Sequence, residues 1–165
     1  ADAEKIEKIL GAAGAGPDHG RITPWRLIVI PVERRQLIGA AFADALAERD
    51  ASATAVQREE ARSKAFRGPF LALVVVRLDP ALGDTHPQER MISAGCAIQN
   101  MLLAAHAMGF GAGLSSGRAL YSRQIRALFG LSDHEQPLCF FSMGTVTTGK
   151  AQRPRANPAD YTSSL

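Results

Sequence analysis

Gly109-Phe110-Gly111-Ala112-Gly113-Leu114-Ser115-Ser116-Gly117 holds four glycines in nine residues, directly after an apolar helical run from Met91 to Met108. So bare a backbone lets its N–H groups approach a flat ligand that side chains would hold off. The order of elements argues against a dinucleotide fingerprint, because a Rossmann turn runs from strand to helix. Here a helix ends at Gly109 and an extended segment follows, and serine stands where the last glycine of that fingerprint belongs. Two readings stay open: a cofactor wall, or a helix cap at Gly109 followed by a tight bend packed under the core.

Other chemistries lack their residues. HExxH is absent, and His19, His86, His106 and His134 show no ligand spacing. No metal site and no catalytic side chain are assigned. Chemistry would then be carried by a cofactor that the protein orients. Cys96 and Cys139 sit far apart in apolar segments, as small hydrophobes of a reducing compartment do.

The elements that would position this segment belong to one domain of 165 residues, 46% hydrophobic. A net charge of +3 is mild, and basic residues are mixed with acidic ones, which disfavours nucleic acid. The first residues lack a signal-peptide pattern, and the run from 91 to 108 includes Ser93, Gln99, Asn100 and His106, too polar for a membrane span. The expectation is a cytoplasmic protein.

Asp2 is placed to cap a first helix whose Ile6, Ile9, Leu10 and Ala13 share a face. After Pro17-Asp18-His19-Gly20-Arg21-Ile22-Thr23-Pro24, the unbroken apolar strand at residues 27–30 reads as buried on both faces. A helix follows over 33–48, with Leu37, Ile38, Ala41, Phe42, Ala45 and Leu46 as its stripe. Residues 49–68 mix charges of both signs with small residues and read as a mobile, solvated helix or flap. A strand at 70–76 precedes the central helix, 88–108. The glycine segment gives a short strand, Ser122 caps a small helix, and 138–143 makes the last strand. Residues 145–165 have no apolar stripe, so they are expected to dock on another subunit. The pattern predicts an α+β fold, a mixed, mainly antiparallel sheet flanked by helices on both faces.

Three segments in order resemble the nitroreductase family of FMN-dependent oxidoreductases, in particular its short members. They are Gly16-Pro17-Asp18-His19 with Thr23-Pro24-Trp25-Arg26-Leu27-Ile28-Val29-Ile30; Ser93-Ala94-Gly95-Cys96-Ala97 through Ala104-Ala105-His106-Ala107-Met108-Gly109-Phe110-Gly111; and Phe141-Ser142-Met143-Gly144-Thr145. The resemblance implies a homodimer with two FMN molecules at the subunit interface. It implies hydride transfer from NADH or NADPH, and electrons passed to nitroaromatics, quinones, enones or related small-molecule acceptors. It places His19 against the flavin, Leu114, Ser115 and Ser116 along the ring, and a nicotinamide nucleotide contact over Ala104, Ala105, His106, Ala107, Met108 and Gly109.

The residues themselves add Gly113 as part of the wall, Arg21 or Arg26 near the ring's N1 and O2, and Lys150, Arg153 and Arg155 for the phosphate. The family's opening Arg-Arg-Ser/Thr motif has no equivalent near Ala1, and Ala15 stands where short members often carry arginine. Either the segment before Ala1 supplies that grip or the phosphate is held less firmly. The alternatives are a flavin-fragmenting or dehalogenating relative, and a non-catalytic flavin- or nucleotide-binding protein.

Overall fold

The computed structural model describes residues 3–149, 151 and 153–165; the cap expected of Asp2 and the phosphate contact expected of Lys150 lie outside them. Four strands, β1 (Trp25–Val29), β2 (Phe70–Arg77), β3 (Gly111–Ser115) and β4 (Glu135–Gly144), form one sheet in the order β1-β2-β4-β3. Every pairing is antiparallel, so the expected mixed sheet is antiparallel throughout these strands.

Alternation along β2 divides the core. Phe70, Ala72 and Val74 face α1 (Ala3–Gly11) and α4 (Pro87–Ala107), meeting Ile9, Ala97, Met101 and Ala105. Leu71, Leu73 and Val75 face the opposite way, toward α2 (Arg35–Arg49) and α5 (Arg123–Leu128), meeting Ile38, Ala41 and Ile125. Helices thus cover both faces. Pro137 has no N–H for the ladder, and the register shifts by one residue opposite Val74 and Val75.

One expectation is corrected. The first strand is half-buried, with Val29 49% exposed, because it is an edge with β2 as its one neighbour. Within residues 49–68 stand a largely solvated helix, α3 (Ala55–Ser63), and a 310 turn over Lys64–Phe66, both packed on α2. A Cβ on Gly39 of α2 would lie 2.9 Å from the Arg62 carbonyl oxygen, so the glycine sets how closely the two helices approach. The small residues Ala53, Ala61 and Ala65 of this segment are buried. A capping box starts α3, with Gln57 N–H donating to Thr54 Oγ1 and Thr54 N–H to Gln57 Oε1.

Two buried arginines fix the loops around the sheet. Arg90 donates to the carbonyls of Thr85, Arg77, Asp79 and Gly83, tying residues 77–85 to α4. Arg35 donates to those of Ala65, Gly68 and Pro69, and burial lowers its pKa. Neither needs a carboxylate, since the carbonyl dipoles surround the charge.

Candidate functional site

The glycine segment resolves into two parts. Gly109, with φ of 81°, closes α4 in a Schellman turn: Phe110 N–H donates to Ala105 O and Gly109 N–H to His106 O. The cap reading therefore holds at Gly109 itself. Beyond it, β3 is extended. A Cβ on Gly111 would lie 2.7 Å from Val146 Cγ2, whereas a Cβ on Gly113 or Gly117 would meet nothing within 4 Å. Gly111 is a packing glycine; Gly113 and Gly117 border open space.

That space adjoins a cavity of about 540 Å³ between α2, α3 and the segment after β3. Ser115, Ser116 and Gly117 form one wall, and Phe42, Leu71, Leu120 and Phe140 are its apolar lining. Arg49, Lys64, Arg67 and Arg118 also border it, against Asp50 and Glu60, so four cations face two carboxylates. Arg49 lies beside Asp50, whose carboxyl is held below the usual range by hydrogen bonds from Ser52 and by that guanidinium. Among the described residues, the Lys64, Arg67 and Arg118 side chains have no hydrogen-bond or ion-pair partner. A cavity of this size, apolar beneath and cationic at its rim, suits a flat anionic ligand.

The residues singled out from sequence divide between two faces of the sheet. Ser115 and Ser116 line the cavity, and Gly113 shares the Ser115 face by strand alternation. Leu114, 48% exposed, shares the opposite face with Ala112, which packs on the α4 side. His19 also stands on the α4 side, exposed, with Nδ1 3.2 Å from Glu89 Oε1 in the first turn of that helix. Its hydrogen bond holds the Glu89 carboxyl below the usual range, as does the His86 N–H. Of residues 104–109, Ala105 is fully buried, Ala104 and Met108 pack on the core, and His106, Ala107 and Gly109 are exposed.

Arg26 is committed elsewhere. It reaches across β2 to Glu135, Nε to Oε1 at 2.6 Å and Nη2 to Oε2 at 3.1 Å, which removes it as a ligand for the ring. Arg21, with φ of 54°, is exposed, and so are Arg153 and Arg155. The residues missed from sequence are Lys64, Arg67 and Arg118. A helical wheel over 55–67 would have put Gln57, Glu60 and Lys64 on one edge, but only the tertiary fold brings that edge to β3.

This sheet order, with a cavity at the end of a glycine-bearing edge strand, defines an α+β domain whose relatives are identifiable. The Nitroreductase family model matches residues 2–145. Two bacterial relatives are both named "Putative NAD(P)H nitroreductase". One, from Haemophilus influenzae, is 31% identical over 144 residues, 87% of this chain and 77% of its own. The other, YdjA of Escherichia coli K12, is 32% identical over 145 residues, 86% of this chain and 76% of its own. Among solved structures, a nitroreductase-like family protein from Bacillus cereus superposes with a TM-score of 0.84 at 19% identity, covering 100% of this chain and 86% of that one. The chain belongs to the nitroreductase family and is an oxidoreductase. Among the described residues no helix is long and apolar enough to cross a membrane.

Proposed function

We propose that this enzyme binds FMN in the cavity beside β3, takes hydride from NADH or NADPH, and reduces nitroaromatic, quinone or related acceptors as a homodimer. One observation carries the reading: three cations without a partner among the described residues, Lys64, Arg67 and Arg118, border an apolar slot with Ser115, Ser116 and Gly117 as one wall. The chemistry supplied by bound FMN is acceptance of hydride and its delivery to the acceptor. The chain's part is to hold the ring flat against the apolar side chains and to aim backbone N–H groups at its edge. Lys64 and Arg67 balance the negative charge that reduction leaves on the ring. Gly113 and Gly117 keep side chains out of the approach.

His19 enters this reading from a second copy, because it lies on the α4 side of its own sheet while the cavity lies on the α2 side, and the exposed Arg153 is the phosphate contact offered by the tail. Two features support a dimer. On α4, Ile92 and Leu103 are 62% and 57% exposed, with Gly95 and Gln99 between them on the same face. Every described residue from 145 to 165 is exposed, including Tyr161 and Leu165.

Titration with FMN, followed by absorbance and flavin fluorescence, tests the reading, with steady-state oxidation of NADH and NADPH in the presence of a quinone as the second measurement. The expected result is stoichiometric flavin and turnover with at least one nucleotide. A chain that takes up no FMN, or takes it up and oxidises neither nucleotide, overturns the proposal.

A further inference from the structure

A second, shallower groove of about 330 Å³ adjoins the cavity, and the two share Arg49 and Arg118 as common walls. Its other borders include Glu48, at the end of α2, with Tyr121 and Arg123, which flank the cap of α5. Neither the resemblance nor the family match assigns it a role. Arg118 has no partner among the described residues, and the carboxylate beside Arg49, that of Asp50, already accepts from the Ser52 amide at 2.9 Å and its hydroxyl at 2.6 Å. Tyr121 is 60% exposed, presenting an aromatic ring to solvent at the groove. Glu48 is fixed by Arg123 Nε at 3.1 Å and by Gln124, so a carboxylate is held at the rim.

We propose that this groove binds the adenosine diphosphate half of the nicotinamide dinucleotide, while the nicotinamide end reaches the flavin cavity. Guanidinium groups between the two spaces suit a diphosphate, which carries its charge at the middle of a long ligand. Tyr121 offers the stacking surface that an adenine ring uses. The Glu48 carboxylate is an acceptor for ribose hydroxyls, the role an acidic residue plays in other dinucleotide sites. Continuity of the two spaces is the geometric requirement, and the shared arginines meet it. Residues 104–109 lie on the opposite face of the sheet from both spaces in the same chain, so a contact from them, like that of His19, comes from a second copy.

The inference rests on the flavin reading for where the nicotinamide goes, but its test does not. ADP-ribose, which lacks nicotinamide, is titrated by calorimetry into the protein with and without added FMN. Binding is expected in both, competitive with NADH in the FMN-loaded enzyme. Tyr121→Ala and Arg118→Ala should each weaken it by about tenfold or more. Tyr121→Phe, which retains the ring, should preserve it, and FMN affinity should be unchanged in Tyr121→Ala because Tyr121 lies outside the flavin cavity. Absence of ADP-ribose binding, equal affinity in parent and Tyr121→Ala, or binding that does not compete with NADH overturns the proposal. A chain that binds ADP-ribose through Tyr121 but takes no FMN overturns the flavin reading instead.

Discussion

Gly111 and Gly113 stand two residues apart on one strand and should answer substitution differently. A valine at 113 projects into open space and suits an extended backbone, so the flavin-free protein should melt within roughly 2 °C of the parent. The same side chain would intrude on the slot beside Ser115, and FMN affinity should fall by about tenfold or more. A melt lowered by many degrees with flavin binding retained would show that Gly113 serves packing. At Arg153, truncation to alanine should reduce FMN affinity roughly 10- to 150-fold, the loss of one charge-assisted phosphate contact. Equal titrations of Arg153→Ala and parent would leave the phosphate to the cavity cations alone.

The Arg26–Glu135 pair joins edge strand β1 to β4 across β2, and it makes the edge sensitive to acid. Chiefly the Arg26 hydrogen bond holds the Glu135 carboxyl below its ordinary value, and the Glu135 side chain is only 13% exposed. Because the folded pKa is the depressed one, the pair's contribution is complete above about pH 4.3 and is lost as pH falls through the lower, folded value. Glu135→Gln should therefore flatten the acid limb of stability against pH below about 4.3 while lowering stability at neutral pH. Parallel limbs for the two proteins would refute the assignment.

Elements with a strong period or an unbroken apolar run were legible in sequence: β2, β4, α2 and α4 fall within a few residues of expectation. The exposure of β1 was not, because Leu27, Ile28 and Val29 look the same at an edge as at a centre. Nor was α3 as a packed helix, since its contact with α2 uses alanines and Gly39 rather than large side chains. In the site, Ser115 and Ser116 could be read from the glycine segment. Lys64 and Arg118 could not, as each looks like an ordinary solvated charge until the fold sets it against β3.

At the scale of the whole molecule, the exposed face of α4 carries the strongest expectation of self-association. Leu103→Glu places a charge on that face without touching either core cluster, so each subunit should remain folded. An obligate interface should bury more than about 2,000 Å² in total, and one buried charge per copy should drive it apart. Sedimentation should show a dimer for the parent and a monomer for the variant at micromolar concentration. A parent that sediments as a compact monomer would remove the second copy from the proposed site.

The sheet order has a consequence for how the chain is made. β2 is central, yet one of its two neighbours is β4, which begins at Glu135, so a ribosome must extend the chain by more than fifty residues before that side of the strand is covered. During that interval Phe70-Leu71-Ala72-Leu73-Val74-Val75-Val76 presents an open, uncharged hydrogen-bonding edge. Fragments ending before Glu135 should collapse and self-associate rather than fold, and the full chain should acquire its native sheet only late in synthesis. Translation speed through residues 78–134 therefore sets how long each nascent molecule is at risk.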